Sequence, residues 1–292
     1  MAIWNLGSIN IDHVYRMDKL PRPGETLAAS SYAVGLGGKG ANQSMAAAQA
    51  GALTHHLGAM GQGDDWVIER LRAGQVDTTH ILRLADQVTG HALILLDGTA
   101  ENSIIIHPGA NRALDKPALQ KAMDAIMPGD TLLLQNETNL QAEAARIARS
   151  VGARVIYSAA PFDLDALQEV MAEVSILAMN EGEADQLFAA IPGTLPVEGL
   201  LITRGAEGAE YRDLKTGQSW HQPAFPVTPV DTTGAGDTFA GYFAAAIDRG
   251  DTVPEALRLA SGAAALKVTR QGAGDAIPAL SEVTDFLTSA VA

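Results

Sequence analysis

The residues best suited to chemistry in this chain lie in the segment 231–239, which reads DTTGAGDTF. Gly234 and Gly236 lack Cβ atoms, so the backbone N–H groups around them can approach a ligand closely. The Ala-rich apolar run 239–247 predicts a helix that begins in this segment, and the start of a helix favours an anion such as a phosphoryl group. Asp237 would lie beside that anion, where an ionised carboxylate can take the proton of an attacking hydroxyl.

The same segment also has a purely structural interpretation. Asp231 can cap the helix, and Asp237 can complement the positive end of the helix dipole without taking part in any reaction. Taken alone, the segment therefore predicts either a phosphate-binding helix start with a catalytic base or an ordinary capped helix.

A second glycine-rich stretch, residues 35–43 (GLGGKGANQ), precedes another Ala-rich helical pattern at residues 44–50. Gly35, Gly37 and Gly40 match the spacing G-x-G-x-x-G, but no acidic residue follows at the distance that a dinucleotide-binding unit requires. The phosphate-loop pattern G-x-x-x-x-G-K-[ST] is also missing. Alone, this stretch suits either a ligand-binding glycine loop or a flexible turn that leads into a close-packed helix.

Together, the two motifs resemble those of the ribokinase-like family of sugar kinases, and the resemblance extends over essentially the whole chain. It is carried by residues 37–42 (GGKGAN) and 231–237 (DTTGAGD) in this order. The other matching segments are residues 7–13 (GSINIDH), 23–26 (PGET), Glu101–Asn102, 107–111 (HPGAN) and 268–273 (VTRQGA). The resemblance implies ATP-dependent phosphorylation of the primary hydroxyl of a sugar, with D-ribose giving ribose 5-phosphate as the first expectation. Another pentose, a ketohexose or a nucleoside is the alternative within the family.

The order of short apolar runs and helical patterns predicts an α/β fold with a doubly wound, mainly parallel sheet flanked by helices. The predicted strands are residues 2–8, 54–59, 131–134, 154–157, 175–179 and 200–203. The predicted helices include residues 65–73, 117–127, 140–151 and 164–174. Residues 13–34 and 89–107 break this alternation and predict hairpin strands. The resemblance assigns both to a small, discontinuous β-sheet lid over the sugar, within a single kinase domain of residues 1–292.

Apolar residues occupy both faces of the predicted lid. Residues 92–96 and 104–106 are apolar at successive positions, and a sheet that projects from a domain cannot bury two such faces by itself. Either one face packs on the parent domain or a partner covers it. The resemblance implies the second arrangement, a homodimer formed through the lids.

Sugar recognition requires several rigid polar groups around neighbouring hydroxyls, because an unpaired buried donor or acceptor costs about 1–3 kcal/mol. Asn10 and Asp12 are two positions apart on an extended segment and therefore face the same side. Glu137 follows the apolar run 132–134, at the strand end where open α/β sheets bind ligands. Each of these residues, taken singly, also suits a turn or a solvated surface. The resemblance assigns sugar binding to Asn10, Asp12, Gly38, Lys39, Asn42, Glu137 and Asp237.

Asn180 and Glu183 have the spacing of a capping box before a helix at residues 184–189, and that role alone would explain them. The resemblance adds a second role, in which both organise Mg²⁺ and phosphate, through water as magnesium prefers. It also assigns ATP contacts to the loop after residues 200–203, for which a simple glycine turn is the alternative. The nucleotide-binding residues that it implies are Asn180, Thr203, Arg204, Gly205, Gly208, Gly236 and Ser261.

The resemblance makes Asp237 the catalytic base and gives charge stabilisation on the transferring phosphoryl group to the amides of Gly234, Ala235 and Gly236. It also implies activation by a monovalent cation, potassium, held mainly by carbonyls. The matching positions are Asp231, Thr233, Lys267, Arg270, Gly272 and Ala276. Ala276 departs from the family, which often has a serine hydroxyl there. Residues 158–161 (SAAP) depart as well, since members usually read NPAP near the site, and this difference bears on the identity of the sugar.

Composition agrees with a globular enzyme: 292 residues, 47% hydrophobic and 18% charged. A formal net charge of −14 argues against nucleic acid or an anionic membrane as a partner, so ATP must be met by local N–H groups, Lys39, Arg204 and bound cations. The absence of cysteine excludes disulfides and thiol chemistry. No apolar stretch is long enough to cross a membrane and no signal-peptide pattern opens the chain, so we expect a cytoplasmic protein.

A sugar-binding regulator that has lost phosphoryl transfer is the alternative from another class of proteins. The intact residues Asp237, Gly236 and Asn42 argue against it, and no basic helix-turn-helix for DNA binding is present.

Overall fold

The structure, a computed structural model, describes residues 1–98 and 102–290, so the predicted motif residue Glu101 lies outside the described residues. The strands are β1 (Ala2–Leu6), β2 (Asn10–Arg16), β3 (Ser31–Gly37), β4 (Leu53–Gly61), β5 (Val76–Leu84), β6 (Gly90–Leu96), β7 (Asn102–His107), β8 (Thr131–Gln135), β9 (Arg154–Ser158), β10 (Ile176–Asn180), β11 (Gly199–Thr203), β12 (Ala209–Asp213) and β13 (Ser219–Gln222). The helices are α1 (Lys39–Gln49), α2 (Asp65–Ala73), α3 (Lys116–Met123), α4 (Gln141–Ser150), α5 (Leu164–Val170), α6 (Glu181–Ala190), α7 (Ala235–Arg249), α8 (Val253–Val268) and α9 (Leu280–Ser289). None of the helices within these ranges is long and apolar enough to cross a bilayer.

The large sheet has nine strands in the order β13-β12-β11-β10-β9-β8-β1-β4-β5. All neighbours from β11 to β5 pair in parallel, and only β12 and β13 run antiparallel at the far edge. One buried core packs α1, α2, α7 and α8 on one face, and a second packs α3, α4, α5 and α6 on the other. The predicted doubly wound, mainly parallel α/β fold is therefore confirmed, and the carboxyl ends of β1, β8, β9, β10 and β11 meet along one edge.

Three strands of the large sheet, β5, β12 and β13, were not predicted from the sequence. All three lie at or near an edge, where the sheet buries fewer side chains, and β5 accordingly mixes apolar residues with threonine, histidine and arginine. Edge strands need no continuous apolar run, so the pattern that identified the central strands is missing there. The predicted helix at residues 117–127 is shorter in the structure and ends at Met123.

Helix α1 begins at Lys39, five residues before the predicted start at residue 44. The alternative of a flexible glycine turn through residue 43 does not hold, because residues 39–43 are helical and the glycines serve close packing. A Cβ atom on Gly40 would lie 2.3 Å from the Cα atom of Gly7, so only glycine lets the helix approach the end of β1 this closely. Asn42 and Gln43 are consequently helical and point in fixed directions.

The second sheet has four strands in the order β3-β2-β6-β7. β2 pairs antiparallel with β3 and parallel with β6, and β6 pairs antiparallel with β7. We call this sheet the lid. The edge strand β7 exposes three consecutive isoleucines, Ile104, Ile105 and Ile106, at 50%, 61% and 52% of their surface. The lid thus carries apolar surface that the rest of the described chain leaves uncovered.

Candidate active site

Asp237 lies in the first turn of α7, which begins after Gly234. Both oxygens of its carboxylate accept a hydrogen bond from a side-chain amide of α1: Asn42 Nδ2 donates to Oδ2 at 3.0 Å, and Gln43 Nε2 donates to Oδ1 at 3.1 Å. These two bonds fix the orientation of the carboxylate at the positive end of the helix. The sequence predicted Asp237 and Asn42 as site residues, but not Gln43.

Gln43 is itself held by a chain of buried polar side chains. Its Oε1 atom accepts from Gln135 Nε2 at 2.7 Å, and the same Nε2 atom donates to Asn5 Oδ1 at 2.9 Å. Asn5 donates to Ser44 Oγ at 2.8 Å, and Ser44 bonds the ring of His56 at 2.8 Å. Burial lowers the pKa of His56 to about 4, so this ring is neutral near pH 7. The network therefore orients Gln43, a hydrogen-bond partner of Asp237, and it adds no charge near the Asp237 carboxylate.

The predicted sugar-binding residues Asn10 and Glu137 are each positioned by a residue that the sequence did not mark as part of the site. Asn111 Nδ2 donates to Asn10 Oδ1 at 2.8 Å. Glu137 accepts from the Ser8 hydroxyl and from the Lys39 backbone N–H at 3.1 Å. Ser8 and Asn111 stand in two of the motif segments, but a motif alone does not separate a ligand contact from a support.

The Asp12 side chain lies over Gly37 and reaches the region of Glu137. A Cβ atom at Gly37 would lie 2.1 Å from Asp12 Oδ2, so a larger residue there would displace the Asp12 carboxylate from this position. Burial raises the pKa of Asp12 to about 7, with further contributions from the carboxylates of Glu137 and Asp237. The three predicted carboxylates therefore lie close enough to repel one another.

The Lys39 side chain supplies the opposite charge. Burial disfavours its ammonium form, but the carboxylates of Asp237, Glu137 and Glu183 outweigh burial and raise the pKa of Lys39. Lys39 is therefore a fixed cation that faces the predicted sugar residues and the predicted phosphate residues at once.

A cleft of about 170 Å³ joins the predicted catalytic and phosphate-binding residues. Its lining includes Lys39, Asn180, Glu183, Gly234, Ala235, Gly236 and Asp237. Ser158 and Ala160, from the segment that departs from the family, also line it.

The capping box that the sequence predicted at Asn180 and Glu183 is confirmed. Glu183 N donates to Asn180 Oδ1 at 2.9 Å, and Asn180 N donates to Glu183 Oε2 at 2.8 Å. Burial raises the pKa of Glu183, against the hydrogen bond from Asn180 and the charge of Lys39. Capping does not exclude the second role, because both residues also line the cleft.

A larger and mainly apolar cleft of about 470 Å³ continues from the first one. Thr203, Thr232, Ala235, Gly236 and Phe239 line both clefts. The predicted nucleotide residues Gly205, Gly208 and Ser261 line the second cleft, together with Phe225, Pro226, Val227 and Val268. The buried Ser261 hydroxyl has no hydrogen-bond partner.

Arg204, which the sequence assigned to nucleotide binding, lines neither cleft. Its guanidinium group pairs with Glu181 and, at 3.3 Å, with Glu210. Only its backbone belongs to the loop that borders the larger cleft, so the structure does not bring this side chain to the site.

Three of the predicted potassium positions, Thr233, Lys267 and Gly272, contact Asp231 directly. The Asp231 carboxylate accepts from Thr233 N at 2.9 Å, from Gln271 Nε2 at 3.0 Å and from Gly272 N at 2.9 Å. The Asp231 carbonyl accepts from Lys267 Nζ at 2.9 Å. A cation that replaced this ammonium group would have to displace a side chain that is fully buried at 0% exposure. Lys267 therefore already satisfies the Asp231 carbonyl, and the potassium site stays a prediction.

A carboxylate held at the first turn of a helix, in a cleft that opens into an apolar pocket, suits transfer of a phosphoryl group to a hydroxyl. The comparison with protein families specifies the class: residues 3–280 match the pfkB family of carbohydrate kinases, and the chain belongs to this family.

Similar proteins cover nearly the whole chain. It is 35% identical to the ribokinase of Haemophilus influenzae, over 98% of each protein, and 34% identical to that of Bacillus subtilis, over 97% of this chain and 98% of the relative. Its fold is similar to that of an Arabidopsis thaliana ribokinase complexed with ribose and ATP, with a TM-score of 0.87 and 29% identity over 98% and 99% of the two chains.

Proposed function

We propose that this protein is an ATP-dependent kinase that phosphorylates the primary hydroxyl of D-ribose and releases ribose 5-phosphate and ADP. The observation that carries the proposal is the position of Asp237. Its carboxylate is fixed by Asn42 and Gln43 at the start of α7, within electrostatic reach of the predicted sugar contact Asp12 and of the predicted phosphate contact Glu183. A hydroxyl bound there would have its base and its phosphoryl donor within one site.

The proposed reaction uses these groups in one step. The sugar hydroxyls bind the polar side chains of Asn10, Asp12 and Glu137, and the primary hydroxyl gives its proton to Asp237. The hydroxyl oxygen forms a bond to the γ-phosphorus while the bond to the oxygen of the leaving ADP breaks. The amides of Gly234, Ala235 and Gly236 and the Lys39 ammonium group stabilise the charge on the transferring phosphoryl group.

Asn180 and Glu183 are the residues that would hold Mg²⁺, through water. Their place on the wall of the smaller cleft, together with the carboxylate chemistry of Glu183, fits this role. When bound, magnesium neutralises charge on the phosphates. The adenine base would occupy the larger apolar cleft, where the unpaired Ser261 hydroxyl is available to a ring nitrogen or an amino group.

We also propose that two copies of the chain pair through their lids. The support is the exposed strand β7, whose isoleucines would otherwise contact water. A cytoplasmic location stays a prediction.

Release of ADP, measured with ribose, 2-deoxyribose, fructose and adenosine at matched concentrations, tests the proposed function. We expect the highest kcat/KM with ribose, and release at least about a hundredfold slower from the Asp237→Asn variant. A higher kcat/KM with another acceptor would contradict ribose and leave the kinase chemistry in place. This panel is needed because Ser158 and Ala160, which depart from the family pattern, line the cleft. No ADP from any acceptor would contradict the kinase proposal.

A further inference from the structure

Lys267 is a fully buried lysine that contacts the loop before α7. It lies at the end of α8, its exposed fraction is 0%, and its Nζ atom donates to the Asp231 carbonyl at 2.9 Å. Burial lowers the pKa of Lys267, while the carboxylates of Asp231 and Asp237 act in the opposite direction. A buried lysine is costly unless carbonyls and carboxylates compensate it, so its position calls for an explanation.

The ammonium group donates to the carbonyl of Asp231, one of the positions to which the family resemblance assigns a monovalent cation. Both carry a single positive charge, and both are satisfied by carbonyl oxygens, which an ammonium group contacts through its three N–H donors. A tethered ammonium group is present at every salt concentration, because its effective concentration is set by the chain.

A second departure occurs at the same site. Ala276, the last of the predicted ligands, has no side-chain oxygen and is buried at 3% exposure. A site that has lost an oxygen ligand and gained an internal ammonium group has changed in the direction expected if no free ion is bound.

We propose that the Lys267 ammonium group replaces the activating monovalent cation, so that this enzyme turns over without potassium. Lys267 acts as a positioning residue: it holds the Asp231 carbonyl, and with it the loop that leads to Gly234 and the first turn of α7. The proposal rests on the proposed kinase function and concerns how its anion-binding helix start is held.

The first test measures turnover of the wild-type enzyme with ribose and ATP in choline, sodium and potassium chloride at equal ionic strength. We expect the three values to agree within about twofold. Activation by potassium severalfold above choline would overturn the proposal while the kinase function stands. No turnover in any salt would instead contradict the kinase function.

The second test compares two substitutions of the same residue. Lys267→Ala removes the charge and opens space, so we expect turnover in choline to fall about ten- to a hundredfold and potassium or ammonium ions to restore it. Lys267→Met removes the charge but fills the space, so its turnover should stay low in every salt. Equal rescue of both variants, or of neither, would overturn the proposal. Lys116→Ala, at an exposed lysine paired with Glu143, is the control and should behave as wild type.

A third measurement does not depend on activity. An ion that binds the folded protein raises its melting temperature. We expect potassium, compared with choline, to raise the melting temperature of Lys267→Ala and to leave that of the wild type unchanged. A rise in the wild type of the same size as in the variant would overturn the proposal, even if neither protein turned over.

Discussion

The helix start at Asp237 and strand β7 of the lid differ in whether their side chains have partners within the chain. At Asp237, amide side chains of the same chain hold the carboxylate and one another: Asn42 and Gln43 donate to the carboxylate, and Gln135 donates to Gln43. On the lid, Ile105 is apolar and 61% exposed. The first region is complete within one chain, whereas the second has apolar surface that a single chain does not cover. A region of the first kind is preorganised for chemistry, and one of the second kind is suited to association.

The substitution Asp237→Asn tests whether the helix start at Asp237 is built for chemistry, and it has the largest expected effect. The amide has nearly the same shape but cannot accept the proton, so we expect turnover to fall by about 10²–10⁴-fold with little change in ribose affinity. Steady-state kinetics and calorimetry with ribose measure the two effects. A variant that kept more than about a tenth of wild-type turnover would contradict the role of Asp237 as base.

Asp12→Ala tests the sugar side of the same region. Loss of this buried acceptor should weaken ribose binding by about 1–3 kcal/mol, roughly 5- to 150-fold, with a smaller effect on ATP. Calorimetric titration of each ligand separates the two. If ribose affinity were unchanged, Asp12 would not be a sugar contact, and equal losses for both ligands would indicate misfolding.

The raised pKa of Asp12 predicts a pH dependence. Its pKa of about 7 in the folded protein, against an ordinary value of 3.8, means that the carboxyl group is protonated below pH 7 and accepts fewer hydrogen bonds from the sugar. Ribose affinity should fall up to tenfold per pH unit below 7 and level off above it. Asp12→Asn, which does not titrate, should flatten the profile.

The same shift affects stability with the opposite sign. Between pH 4 and 7 the folded protein keeps a proton that the unfolded chain releases, so this group's contribution to stability falls as pH rises through that window. Asp12→Asn should remove this part of the dependence when unfolding in urea is compared across the pH range. An unchanged dependence in the variant would assign it to another group.

The smallest expected effect on the single chain is that of Ile105→Glu. The side chain is exposed, so the free energy of unfolding should change by no more than about 0.5 kcal/mol, but pairing through the lid should be lost. Light scattering would then report a mass near 30.5 kDa rather than twice that value. Leu53→Glu, a substitution of an equally exposed leucine on β4, is the control and should leave the dimer intact. A wild-type mass near 30.5 kDa would contradict the proposed dimer.

The sequence was informative where local spacing carries the signal. The glycines and carboxylates of residues 231–237 indicated Asp237, and the alternation of apolar runs indicated the sheet. Gln43 and Gln135 were missed because the partners of a buried amide are remote in sequence, 194 positions for the bond from Gln43 to Asp237. The contact between Lys267 and the Asp231 carbonyl was missed for a related reason: a backbone carbonyl can be inferred from a motif, but the direction of a long side chain depends on packing.

The short, buried junction between the two sheets anchors the lid at one end. Gly7, Ser8 and Ile9 alone separate β1 from β2, all three are buried, and Gly7 N donates to Leu57 O at 3.0 Å while Ile9 N donates to Asn111 Oδ1 at 2.8 Å. A sheet that is anchored at one end is displaced most at its other end. We therefore expect displacements of the lid to be smallest at Asn10, which directly follows this junction, and to increase along β2 away from it.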